Sequence, residues 1–502
     1  MKKFIAMLLL VVLIVPMAAC NKTQDAEGVV MLKMLEAGYG TRFMDELVSE
    51  FKKVEPDITV EVEPVVALNA DSVEGELTSR DNPWDLYLTG PMYWRKFIKA
   101  DGTSDVLYDM TEFFDAEVYG EDVSIRDKMN PDYIMHTEEQ GRNWILNWAG
   151  GSGGLAVNMT ALGDRAVPRT TNEFIETIKD ISEEEKAQPD KRKKVYPLIW
   201  SGLAWDYWRY VLNCWWAQYD GVDAYNRFWP CLNEDGELSP SVFLQEGILK
   251  GLEVLEEILY YEYSYPGSLA LAHTDAQAQL MLNKAVFTVT GDWIESEMKN
   301  YKNDTIRMMK PPVNSALGEK LGISEAQLIA AVDAVDAGET SAAGLTDEQF
   351  LAVKEARSLY FSIGTTHSIL IPKSSNVIPQ AQRFLQFMLS EKGIEIIYKY
   401  AGTLLPFDNT IDTESDYFKS LTPYKQHKFN LEKDIKYIYF DYTSPLRWKA
   451  GLQQFYGPSN QPELLFAQQA ESQRKSAYDV WMDEYETVNG AWGSYLSAAG
   501  LA

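Results

Sequence analysis

The stretch "VVMLKMLEAGYGTRFMDELVSEFKKVEPDITVEVEPV", residues 29–65, constrains the fold more than any other part of the chain. Its first ten residues are apolar enough for a buried strand. Phe43, Leu47, Phe51 and Val54 then recur at helical spacing until Pro56 stops the helix. "ITVEVEPV" (58–65) alternates apolar and acidic residues, the pattern of a half-buried strand. Strand, helix, strand is a βαβ unit, and two strands joined in that way lie parallel in one sheet. "WDLYLTG" (84–90) supplies another strand.

A second set follows, with strands expected at "GGLAVNM" (153–159), "VYPLIW" (195–200) and "AVFTVTG" (285–291). The helices between them include one opened by Thr170-Thr171-Asn172-Glu173, a capping-box pattern, and a long one over 241–261. Two successive α/β sets in 502 residues predict two lobes, since one core rarely serves so long a chain. From Glu319 to Leu359 the composition turns to Ala, Glu, Asp and Leu, and two capped periodic segments predict an inserted helical hairpin. "SILIPK" (368–373) returns to strand, and the C-terminal quarter, with Trp481 and Trp492, reads as amphipathic helix.

The N-terminal "MKKFIAMLLLVVLIVPMAACNK" has a basic start and an apolar run too short to span a bilayer, which needs about 20 residues. This describes a secretory signal peptide over 1–19. Met17-Ala18-Ala19-Cys20 resembles the bacterial lipobox, in which the Cys thiol is acylated and becomes the new N-terminus. Acyl chains on Cys20 would anchor the chain to the outer face of the cytoplasmic membrane, with 20–28 as a tether. The remaining Cys214 and Cys231 are either one bridge or two buried thiols.

The formal net charge of −28 opposes nucleic-acid binding, which requires a basic surface. It also disfavours an anionic polysaccharide unless a local basic pocket overrides the global field. Aromatic residues make up 12% of the chain. A neutral, ring-containing ligand suits both facts.

Enzymatic motifs are missing. "AGGSGGLAV" (149–157) lacks the Gly-Lys-Ser/Thr ending of a phosphate loop and the dinucleotide spacing, and reads as a bend between lobes. Aligning Gly236 of "NEDGEL" with the glycine of a calcium loop would put Cys231 and Val242 at ligand positions, so an Asp-Gly turn is the better reading. His136, His273, His367 and His427 have no metal-ligand spacing, and neither metal nor cofactor is expected. No nucleophile elbow is present.

Several stretches, in order, resemble the extracellular sugar-binding proteins of ABC importers, the maltose-binding-protein-like family. They are the lipobox, "EAGYGTRFMDELVSEFKKVEPDITVEVE", "NPWDLYLTGPMYWRKFIKADG", "GGLAVNMTAL", "AVFTVTGDWIESE" and "SILIPKSSNVIPQAQRFLQFMLSEKGIEIIYKYAGTLLPF". The resemblance implies an α/β, two-lobed clamp of the periplasmic-binding-protein type, with crossing hinge strands and extra helices. Crossovers are expected near Trp148–Leu155, near Lys310 and near Leu404–Phe407. Lobe 1 would then hold 29–150 and 310–405, with the insertion at 319–359, and lobe 2 would hold 151–309 and 406–502. It further implies a non-enzymatic monomer that delivers an oligosaccharide to ABC transporter permease subunits. A binding protein for another solute such as a peptide, and an anchored glycoside hydrolase, are the competing readings.

"WDYWRYVLNCWW" (205–216) places Trp205, Trp208, Leu212, Trp215 and Tyr219 on one helical stripe, with Tyr207, Tyr210, Val211 and Cys214 on another side. Such a helix is mostly core, with its first turn, Trp205 and Asp206, facing the cleft beyond the strand ends. A pyranose presents apolar C–H faces and a rim of hydroxyls, which aromatic rings and polar side chains complement. By position the other ligand candidates are Tyr39, Thr89, Trp148, Trp293, Arg447 and Trp448, each weighed against an ordinary core role.

Overall fold

The computed structural model describes residues 28–66, 68, 70–454 and 460–502. The expected signal peptide, Cys20 and all but the last residue of the tether lie outside the described residues. In chain order the main strands are β1 (Val29–Leu35), β2 (Thr59–Val65), β3 (Leu86–Leu88), β4 (Leu146–Asn147), β5 (Ser152–Asn158), β6 (Tyr196–Leu198), β7 (Ala285–Gly291), β8 (Ile306–Met309), β9 (Leu359–Ser362), β10 (Ser368–Leu370) and β11 (Lys436–Tyr439).

The opening βαβ unit forms as its pattern requires. β1 pairs parallel with β2 from Val29–Thr59 to Leu35–Val65 and parallel with β3 on its other side. The helix Arg42–Val54 buries Phe43, Met44, Leu47 and Phe51, and the Glu55 N–H closes it on the Phe51 carbonyl just before Pro56. The first sheet runs β2-β1-β3-β10-β4, its last two strands added antiparallel.

The second sheet runs β11-β9-β5-β7-β6, with β8 also pairing β5. On it the helix Trp208–Asp220 lies against β9 and β5, and the helix Glu246–Ile258 lies against Trp208–Asp220. Gly247 makes that close approach possible, since a Cβ there would sit 2.6 Å from the Trp216 carbonyl oxygen. The helix expected over 241–261 is shorter: a 3-10 turn at Pro240–Leu244 precedes Glu246–Ile258. At Thr170 the hydroxyl caps Glu173 N, but the Glu173 carboxylate turns to the Arg169 N–H, so the capping box is half formed.

The inserted helices are Glu325–Asp336 and Asp347–Ser358, each opened by a complete capping box, at Ser324/Gln327 and Thr346/Gln349. They enclose a small apolar core of their own, including Leu328, Val332, Phe350 and Val353. Buried Arg357 ties the insertion together, donating to Asp336 at 2.7 Å and to the Pro311 carbonyl at 3.2 Å.

The expected crossover near Lys310 does not occur there. β8 ends at Met309 while still paired to β5, and the insertion hands the chain to β9 in the same second sheet. Residues 310–362 therefore sit with the second sheet, and the crossing comes at 363–367. Gln218 explains why, donating to the Ala356 carbonyl at 3.1 Å and accepting from the Asn314 N–H at 2.9 Å, so the insertion is seated on the Trp208–Asp220 helix. The chain passes between sheets at 148–151, at 363–367 and a third time between β10 and β11, where 402–404 run beside the first crossing. These strands are bonded to one another: Ile363 N donates to Gly151 O at 2.7 Å, Gly151 N to Thr403 Oγ1 at 3.1 Å and Trp148 N to His367 O at 3.2 Å. Cys214 and Cys231 are both buried and free.

The interlobe cleft as candidate functional site

The loops that leave the carboxyl ends of the strands meet between the two lobes. There the cleft widens into two cavities that share Tyr210 and Ile363 as their common wall.

The first, of about 360 Å³, takes Met92, Tyr93 and Arg95 from the loop after β3, Asp206 and Tyr210 from the aromatic stretch, Thr365 and Thr366 from the crossing, and Phe440, Tyr442 and Trp448 from the C-terminal region. Tyr93 is half exposed at 52% and stands free at the rim. Trp448 lines this cavity with its ring, while its indole N–H is buried and has no hydrogen-bond partner among the described residues. His136, also in the lining, is buried without a strong partner: its Nε2 is unpaired among the described residues and Asp441 is 3.9 Å from Nδ1. Burial pushes its pKa down to about 4, against the pull of Asp441. Asp206 is open to the cleft yet ringed by protein, which raises its carboxyl pKa despite the cation of Arg209.

The second cavity, of about 460 Å³, is lined by Glu36, Ala37, Gly38, Tyr207, Tyr210, His273, Trp293, Glu297 and His367. Its wall is a run of rings. Trp293 meets Tyr207 edge-on at 5.7 Å, Tyr207 stacks on Tyr210 at 5.3 Å, and Tyr210 stacks on Phe361 at 5.4 Å. Two glycines make this wall possible. A Cβ on Gly291 would lie 2.1 Å from the Trp293 ring, and one on Gly153 would lie 2.4 Å from the Tyr210 ring. His273 Nε2 is 3.2 Å from Glu297 Oε1, and that bond raises the His273 pKa. His367 is buried against Tyr39 and Trp148, and burial lowers its pKa to about 4.

Of the residues singled out from the sequence, Trp293, Asp206 and Trp448 line these cavities. Tyr39 lies beneath them, 2% exposed, with its hydroxyl donating to Asp292 Oδ1 at 3.1 Å. The other four are placed elsewhere. Trp148 is fully buried between Phe43, Tyr39 and His367, and its indole N–H donates to the Thr89 carbonyl at 3.0 Å. Thr89 is buried too, its hydroxyl donating to the Gly90 and Ser368 carbonyls. Arg447 spends its guanidinium on the Phe228, Trp229 and Leu452 carbonyls and lies over the Phe228 ring at 4.5 Å. Trp205 faces Arg209, whose guanidinium covers its ring at 4.6 Å, and takes no part in lining either cavity.

Trp205 was displaced by a change of helix type. The chain makes a 3-10 turn over Gly202–Tyr207, with a break at Ala204, and only then the α-helix from Trp208. Tyr207 ends that turn and Tyr210 lies in the first turn of the α-helix, and these two rings line the cleft in place of Trp205. Tyr93, Tyr207, Tyr210 and His273 are among the lining residues that the sequence did not single out. Tyr93 carried a usable signal, since it follows the end of β3 by a few residues, where cleft loops collect.

The sequence matches the profile of the bacterial extracellular solute-binding proteins over residues 37–395. The chain belongs to that family. Solved structures share its two-lobed fold. Maltose-bound MalE3 of T. maritima aligns with a TM-score of 0.58 at 14% identity, covering 92% of this chain and 99% of the other. The apo form of RafE from Streptococcus pneumoniae gives 0.58 at 13%, covering 94% and 98%. An ABC substrate-binding protein of Listeria monocytogenes in complex with cycloalternan gives 0.56 at 14%, covering 93% and 99%. A search among curated proteins finds no significant match. No helix among the described residues is long and apolar enough to cross a membrane.

Proposed function

We propose that this solute-binding protein captures an oligosaccharide in the interlobe cleft and delivers it to the permease of an ABC transporter. The observation that carries the reading is the unbroken aromatic wall Trp293–Tyr207–Tyr210, with Tyr93 and Trp448 along the other cavity. Rings in series suit the C–H faces of successive sugar units, while Asp206, His273 and Glu297 suit their hydroxyls. The neighbours bound to maltose and cycloalternan are of the same fold and support this choice of ligand. Trp293 and Tyr210 form one floor and Tyr93 a lip on the other lobe; Trp148, Thr89, Arg447 and Trp205 act through the structure around them.

A thermal-shift screen against neutral and acidic oligosaccharides tests the reading, because ligand stabilises the folded state by RT ln(1 + [L]/Kd). A rise in melting temperature with one of them, and unchanged ligand on chromatography after overnight incubation, is the expected result. Stabilisation by peptides alone, or cleavage of the saccharide, would overturn it. Anchoring through acylated Cys20 completes the proposal: Cys20→Ser should release the protein from membranes, and an intact mass without lipid would remove the anchor.

A further inference from the structure

Beside the cleft lies a cavity of about 710 Å³ whose charge runs against that of the whole molecule. The chain carries a net charge of −28. Yet this chamber is lined by Arg42, Lys299, Lys302, Lys399 and Lys425, against the carboxylates of Glu36, Glu295 and Asp304. Lys425 is paired with Glu295 at 3.1 Å. Arg42, Lys299, Lys302 and Lys399 are exposed and make no ion pair among the described residues. Arg42 and Lys399 converge on one ring, Tyr400, at 4.5 and 5.6 Å. Gly40, Thr41 and Arg42 of the lining open the 13-residue helix Arg42–Val54, whose positive end adds to the field. Four of the five cations are thus left facing the chamber with three carboxylates among them.

The chamber's position says what would bring them an anion. The chamber shares Glu36 with the Trp293 half of the cleft. The short turn Ile294–Glu297 divides them, with Glu295 and Ser296 on the chamber side and Trp293 and Glu297 on the cleft side. Exposed lysines hold a free anion weakly, because each such pair is screened and worth little. An anionic group carried by a ligand already seated in the cleft meets them at high effective concentration.

We infer that the chamber receives an acidic substituent, a carboxylate or sulfate, of the saccharide held in the cleft, so that this protein selects acidic oligosaccharides. The inference rests on the saccharide reading above. It reverses the expectation that net charge sets: a local basic pocket governs the ligand, and the acidic remainder of the surface does not.

The test is calorimetry on the purified protein with saccharide pairs matched in length and linkage and differing in a C6 carboxylate, such as oligogalacturonate against the neutral galactose oligomer. Sodium sulfate is titrated in a separate arm. The acidic member of the binding pair should bind more tightly, and its advantage should shrink as salt rises. In the Lys299→Gln/Lys302→Gln variant the advantage should fall roughly 2- to 30-fold, the span of two exposed ion pairs, with neutral-sugar affinity unchanged. Equal affinity for both members of every pair that binds would overturn this inference and leave saccharide binding standing. Binding of sulfate with no saccharide of either kind would overturn both. An advantage that survives in the double variant would place the anion elsewhere and overturn the assignment to the chamber.

Discussion

Trp293 is nearly buried, at 5%, while lining the cleft, so its replacement should be felt twice. Trp293→Ala should lower stability by about 3–5 kcal/mol, as large aromatic truncations do. It should also weaken saccharide binding by roughly 5- to 150-fold, the equivalent of about 1–3 kcal/mol for one stacked ring. A denaturant melt and calorimetry on the folded variant read the two losses separately, and wild-type affinity would remove Trp293 from the site. His367 makes a different demand. Its folded pKa of about 4 lies below the ordinary 6.5, so between those values the unfolded chain binds the extra proton. Stability should therefore fall as pH drops through that window, by about 1.4 kcal/mol per unit, and level off below it. His367→Gln should show a correspondingly shallower fall in urea midpoints; curves of identical slope would show that His367 is not held neutral. At this scale Trp293 was legible in the sequence because a strand end and a glycine precede it. Trp148 has equally suggestive neighbours, but its burial depends on Phe43 and His367, which local pattern cannot bring together.

Elements were more legible than the seams between them. The βαβ opening, the capped insertion and most strands follow from spacing and caps, which are local properties. The lobe to which 310–362 belongs depends on Gln218 gripping both ends of the insertion, a contact across about a hundred residues that no periodicity announces. The contact between Trp208–Asp220 and Glu246–Ile258 shows how closely such seams are set. Alanine in place of Gly247 would gain up to about 1 kcal/mol of helix propensity. Its Cβ, however, would stand 2.6 Å from the backbone oxygen of Trp216 and from Asp220 Oδ2, which now accepts the Gly247 N–H. Overpacking of that kind costs about 1–3 kcal/mol. The clash should win, so Gly247→Ala should lower the melting temperature, and an increase would show that the two helices can slide apart freely.

The two large sheets of the molecule are joined by three crossing segments, a geometry that permits hinge closure. Tyr39 and Asp292 mark a contact between the lobes on which closure would bear. Tyr39 follows β1 of the first sheet, and Asp292 follows β7 of the second. Their 3.1 Å bond is buried, and Asp292 also accepts from the Ser152 N–H at 3.3 Å and faces Lys428 at 3.5 Å. Burial raises the pKa of the Tyr39 hydroxyl well above its usual value, so it keeps its proton and donates. Tyr39→Phe removes that donor and leaves the ring contacts with Trp148 and Trp293 in place. A buried acceptor deprived of a partner costs about 1–3 kcal/mol, charged to the arrangement in which the lobes are joined. A ligand that binds between closed lobes must then supply that difference, and its affinity falls by the same factor, about 5- to 150-fold. Small-angle scattering supplies the second readout. The wild-type radius of gyration should shrink when saccharide is added, and the variant should require more ligand to reach the same compact state. An unchanged profile in the wild type at saturation would exclude closure on binding. Equal ligand requirements in the two proteins would show instead that the hinge closes without help from this bond.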